Sequence, residues 1–145
     1  MTLLERLEAD LKQAMKDKNE FVLSVLRMAR AATKNKQIEL QRELKDEDVV
    51  GVLRTMVKQY QDAYRDFKSA GREDLAERQK AEIDKLESYL PAQMSASELE
   101  AICARVIAEQ NGTREKLGQL IGQVMKQAAG RTDGNQVRQI LEKML

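Results

Sequence analysis

No histidine and no tryptophan occur in the 145 residues, and cysteine and proline occur once each. Without histidine, the usual general base near neutral pH and the commonest zinc ligand are missing. One cysteine cannot close an intramolecular disulfide or build a thiolate metal site, and it fits a reducing cytoplasm. Cys103 stands beside Ile102 on an apolar helix face, so it reads as core rather than as a nucleophile. Aromatics are only 3% of the chain, and Phe21, Tyr60, Tyr64 and Phe67 on apolar stripes and Tyr89 at the hinge read as core rather than as a platform for unpaired bases. No apolar run approaches the roughly 20 residues that cross a bilayer, so no membrane partner is expected. Met1 leads directly into Thr2-Leu3-Leu4-Glu5, a helix start rather than a targeting pattern, and a cytoplasmic location is expected. Nor is there a phosphate-binding loop, a dinucleotide fingerprint or a Gly-Xaa-Ser-Xaa-Gly elbow, so neither cofactor nor metal is expected.

What the chain does have is helix formers. It is 42% hydrophobic and 34% charged with a net charge of +1, which suits helices packed on helices and gives no overall basic excess for nucleic acid. Thr2 and Glu5 form a capping box, and Leu3, Leu7, Leu11 and Met15 recur at i+4. Asp17-Lys18-Asn19 breaks the pattern before a second helix with Phe21, Val22, Val25, Leu26, Ala29 and Ala32 on one face. Asp46 is expected to cap a third helix carrying Val49, Leu53, Met56, Val57, Tyr60, Tyr64 and Phe67, with Gly71 as its stop. A fourth, largely charged, runs from about Glu73 to Tyr89 with a narrow edge of Leu75, Ile83 and Leu86, which predicts a hairpin with the third.

Pro91 ends that helix and marks a short hinge. Beyond it, Ser95 and Glu98 form another capping box ahead of Leu99, Ile102, Cys103, Val106 and Ile107. Asn111-Gly112 ends that helix, and Thr113 is expected to cap the next, with Leu117, Leu120, Ile121, Val124 and Met125. The stretch Gly130-Arg131-Thr132-Asp133-Gly134 reads as a turn before a last helix with Val137, Ile140, Leu141 and Met144. The expectation is an all-α fold. A four-helix N-terminal domain with a long helical hairpin spans 1–91, and a small three-helix C-terminal domain spans 92–145.

Acidic pairs such as Glu47/Asp48 and Glu73/Asp74 lie among lysines and arginines on charged faces, not in the desolvated cleft that acid–base chemistry needs. Two other features stand out. Between Glu20 and Glu39 there is no acidic residue, and Arg27, Arg30 and Lys34 share the face opposite Phe21, Val25 and Ala29. This strip is either a ridge that tracks phosphates or an ordinary solvated face. Near the C-terminus, Gly118 and Gly122 lie four apart in a helical stretch, where each costs about 1 kcal/mol relative to alanine. Either a neighbouring helix packs closely there or a ligand backbone does. Lys126, Arg131, Asn135 and Arg138 flank the following turn, and Asp133 is placed to cap the last helix.

The run Leu117-Gly118-Gln119-Leu120-Ile121-Gly122-Gln123-Val124-Met125-Lys126, followed by Gly130-Arg131-Thr132-Asp133-Gly134, resembles the tail domain shared by GatB and the YqeY-like proteins. Leu26-Arg27-Met28, Ala70-Gly71-Arg72 with Asp74-Leu75, Glu82 and Tyr89-Leu90-Pro91 extend the resemblance to the YqeY-like family over essentially the whole chain. The chain departs from the family at Gln119, where a basic residue is frequent, at Ile121 and at Thr132.

GatB is a subunit of the amidotransferase that corrects misacylated tRNA. The resemblance implies that the tail touches tRNA while the catalytic subunits do the chemistry. The expectation is therefore a non-catalytic accessory protein that binds tRNA or other structured RNA through its C-terminal domain. Lys126, Arg131 and Arg138 would reach phosphates, Asn135 would assist, and Gly118 and Gly122 would permit close approach. The alternatives are a protein–protein adaptor docking through the hairpin of the third and fourth helices, or an auxiliary component of a glutamine-dependent amidotransferase active only in a complex.

Overall fold

The computed structural model describes residues 1–129 and 131–145; Gly130, in the expected turn, lies outside the described residues. These residues form seven α-helices: α1 (Leu3–Asp17), α2 (Glu20–Leu40), α3 (Asp46–Ser69), α4 (Glu73–Glu87), α5 (Ala96–Gln110), α6 (Leu117–Ala128) and α7 (Gly134–Met144). A short 3₁₀ turn, Arg114–Lys116, precedes α6, and there is no strand among the described residues. The fold is all-α. The chain divides into two compact units, Met1–Leu90 and Pro91–Leu145.

In the first unit, α1 and α2 form one antiparallel pair and α3 and α4 a long hairpin. Thr2 Oγ1 accepts from the Glu5 N–H at 3.1 Å, and Lys18 takes a left-handed conformation that closes α1. Asn19 then caps α2 by accepting from the Val22 N–H at 3.2 Å. The core brings Leu7 and Leu11 of α1, Leu26 and Ala29 of α2, Leu53 and Val57 of α3 and Leu86 of α4 together. Met15 departs from the expected stripe and is 56% exposed, while Ala14 is buried. Each i+4 step drifts about 40°, so three steps from Leu3 carry Met15 well off the buried face.

Two caps differ from expectation. Lys45, not Asp46, is the N-cap of α3, because the Asp48 carboxylate reaches back to accept from the Lys45 N–H at 2.8 Å. Asp46 instead accepts from the Leu3 N–H at 2.9 Å, tying the start of α1 to the start of α3. Thr113 makes no side-chain cap; it leads into the 3₁₀ turn, and α6 starts only at Leu117.

α4 ends at Glu87, two residues short of the expected Tyr89. Tyr89 is buried in the core of the first unit, with its hydroxyl donating to Asp10 Oδ2 at 2.5 Å and the Arg6 guanidinium 4.7 Å above its ring. Burial, the hydrogen bond to Asp10 and that carboxylate's charge all push the phenol pKa up.

Candidate nucleic-acid interface

The second unit is a three-helix core. Leu99, Cys103 and Val106 of α5 pack against Leu120 and Val124 of α6 and Val137 and Leu141 of α7. Both arms of the Ser95–Glu98 capping box are formed, each at 3.2 Å. Burial, reinforced by the charge of Glu100, raises the Cys103 thiol pKa.

Arg131 is largely occupied in holding this unit together. Its guanidinium meets Glu98 at 3.3 Å and donates from Nε to the Ala92 carbonyl at 3.2 Å, while its own carbonyl accepts from the Met94 N–H at 2.8 Å. The segment before α5 is thereby pinned to the turn before α7. Asp133 caps α7 by accepting from the Gln136 N–H at 2.9 Å, and the buried Thr132 hydroxyl donates to Gln136 Oε1 at 2.9 Å. That hydroxyl gives Thr132 a local role that alanine could not fill.

The glycines fall into two kinds. A Cβ on Gly112 would meet Leu120 Cδ1 at 2.9 Å and the Ile107 Cα at 3.3 Å, so a side chain there would have to displace Leu120 where α6 closes on the end of α5. A Cβ on Gly118 or Gly122 would meet nothing within 4 Å. Packing among the described residues of the second unit therefore does not account for these two, and both are exposed. At about 100° per residue, Gly118, Gly122, half-buried Met125 and exposed Lys126 lie along one face of α6. Glu115, in the preceding 3₁₀ turn, borders its other end.

Lys126 sits in the last turn of α6, and among the described residues it has no ion-pair partner. Asn135 is exposed in the first turn of α7. Arg138 follows within the same helix and is loosely paired with Glu142 at 4.0 Å. Of the four polar candidates, Lys126, Asn135 and Arg138 are presented outward and Arg131 is directed into the unit. The signal for the Arg131 tie was in the sequence only as Glu98, whose capping role gave no sign of a second partner.

On α2 the strip is exposed at Arg27, Arg30 and Lys34. Arg30 pairs with Glu8 of α1 at 3.1 Å, whereas Arg27 and Lys34 have no ion-pair partner among the described residues. Among the described residues, no group of three or more acidic or cysteine side chains is arranged to hold a metal ion, and no helix is long and apolar enough to cross a membrane.

Three relatives are informative. A Pyrenophora tritici-repentis protein named "Altered inheritance of mitochondria protein 41, mitochondrial" is 28% identical over 132 residues, covering 89% of this chain and 72% of its own length. Its namesake in Vanderwaltozyma polyspora is 31% identical over 130 residues, covering 89% of this chain and 68% of its own. A Saccharomyces cerevisiae namesake is 30% identical over 95 residues, 65% of this chain and 51% of its own length. These names overturn the expected cytoplasmic location, because the relatives are named as mitochondrial proteins. A lone thiol argues only against oxidising compartments and does not choose among reducing ones. The model of the Yqey-like protein family matches residues 4–145, and with that match across both units the chain belongs to this family.

Proposed function

We propose that this chain is a non-catalytic accessory protein that binds tRNA or another structured RNA through its second unit. The observation that carries the reading is the open glycine face of α6. Gly118 and Gly122 weaken the helix without relieving any contact among the described residues of the second unit, and a smooth surface of this kind suits the close approach of an external backbone. Lys126 at one end of that face and Arg138 on α7 supply cations for phosphates, and the scarcity of exposed aromatics favours a folded shape over unstacked bases. The chain's lack of histidine and its buried Cys103 support the non-catalytic part of the reading.

The test is binding of the full chain to total tRNA across a salt series. Micromolar binding with a negative log–log salt slope is expected. Lys126→Ala combined with Arg138→Ala should weaken it and flatten the slope by about two contacts' worth. Absence of binding at low salt overturns the proposal, as does an affinity and slope untouched by the double variant. Arg131 is unsuited to this test because its loss would also loosen Ala92 and Met94.

A further inference from the structure

The geometry points to a furrow along α2 as a docking site for an amphipathic helix of another protein, acidic on one flank. Two depressions succeed one another beside α2. One, of about 720 Å³, runs between α2 and α4 and is lined by Glu20, Phe21, Ser24, Arg27, Met28 and Arg78. The other, of about 620 Å³, lies between α2 and the first half of α3, with Ala32, Asn35, Gly51, Val52 and Met56 among its lining residues.

The α2 residues at 21, 24, 28, 32, 35 and 39 line the two in turn, spaced three or four apart as one helical stripe. The two depressions are therefore a single track beside one helix, about 27 Å long at 1.5 Å per residue. That length accommodates about five turns of a second helix.

The chemistry of the track selects its occupant. Met28, within the stripe, is 56% exposed, and Ile38, just outside it near the C-terminal end, is 74% exposed, so apolar surface is left uncovered along the track. The small lining residues Ser24, Ala32 and Gly51 keep the surface low, and a Cβ on Gly51 would meet nothing within 4 Å among the described residues. The outer wall carries Arg27 of the lining and Lys34 one heptad on, both without ion-pair partners among the described residues, with Glu20 at its N-terminal end. The α3 side carries Glu47, which likewise has none, while Asp48 beside it is matched by Arg42 at 2.7 Å.

A helix with an apolar stripe, acids toward Arg27 and Lys34 and a base toward Glu47 satisfies all three surfaces. A phosphate backbone would use the cations and leave Met28 and Ile38 exposed. This site is separate from the glycine face and does not depend on it. It also relocates the adaptor surface expected on the α3–α4 hairpin, where Lys68, Arg72 and Arg78 are already paired with Glu73, Asp74 and Glu82.

The probe is a synthetic amphipathic helix of about 18 residues with leucines on the stripe, glutamates on one flank and lysines on the other. A second peptide has the two flanks exchanged. Titration into the isotopically labelled full chain should shift α2 and α3 amides, with the first peptide bound about tenfold more tightly than the second. Arg27→Glu with Lys34→Glu should reverse that preference, and Gly51→Leu, placed in open space, should abolish binding without unfolding the chain. Equal binding of the two peptides overturns the proposal, as does binding unchanged by these variants. Two other results overturn it: loss of tRNA affinity in the charge-reversed variant, which makes the wall an RNA contact, or self-association of the chain through Met28 and Ile38.

Discussion

In the unit of Met1–Leu90, the cations around the turn of the α3–α4 hairpin have close carboxylates, as in Lys68–Glu73, Arg72–Asp74 and Arg78–Glu82, and that stretch of surface is matched from within. In the unit of Pro91–Leu145, Lys126 has no such partner among the described residues, Arg138 has only a distant one, and the adjoining helix face is left without side chains at Gly118 and Gly122. Exposed ion pairs contribute little to stability, so the difference bears on binding rather than on folding. A surface whose charges are matched from within has little to offer a partner. Binding is to be sought where the matching stops: on α6 and α7, and along the outer side of α2.

The largest effects should come from the two cores, which are alike where the surfaces differ. Leu53→Ala in the first unit and Leu120→Ala in the second each remove a fully buried side chain and should each cost about 2–5 kcal/mol in chemical denaturation. A negligible loss at Leu120 would break the parallel. Next come the glycines. Gly112→Ala should destabilise the second unit by about 1–3 kcal/mol, since Leu120 is fully buried and has little room to yield.

Gly122→Ala should do the reverse, stabilising α6 by about 1 kcal/mol while weakening tRNA binding. Gly118→Ala, in the first turn, should gain less. A stabilised protein with unchanged RNA affinity would remove the functional meaning given to that face.

Asp48 offers a smaller effect with a sign set by pH. The Arg42 guanidinium hydrogen-bonded to it, and the Lys45 N–H it accepts, hold its carboxyl below the usual aspartate range. A folded-state pKa below the unfolded value of about 3.9 stabilises fully at higher pH and ceases to as pH falls through the folded value. Asp48→Asn should therefore cost about 1 kcal/mol at neutral pH, with the gap to the parent closing as pH falls through the folded-state value. The smallest change is at Ala129, held at φ 50° after α6; Ala129→Gly should raise the thermal midpoint slightly, by about 0.5–1 kcal/mol of stability.

Periodicity made the helices legible because burial follows it closely: Leu7, Leu11, Leu53, Leu120 and Leu141 are all inside. Local capping rules located Ser95–Glu98 and Asp133, whose partners lie within three residues. What was not legible depends on distant partners. Asp46 was read as a cap because its bond to the Leu3 amide, 43 residues away, leaves no trace in a local pattern. Arg131 stands among phosphate-contact candidates in the sequence for the same reason, its partners at Ala92 and Glu98 being invisible from its own turn. Gly118 and Gly122 were conspicuous as a pair, but whether anything packed on them required the neighbouring helices to be placed.

Cys103, fully buried as the only thiol in the chain, doubles as a built-in clock. A thiol reagent can reach it only when the core of the second unit opens, so its labelling rate reads the opening of that unit without any added probe. A molecule that closes on α6 or α7 should slow the clock, whereas one seated beside α2 has no direct hold on it.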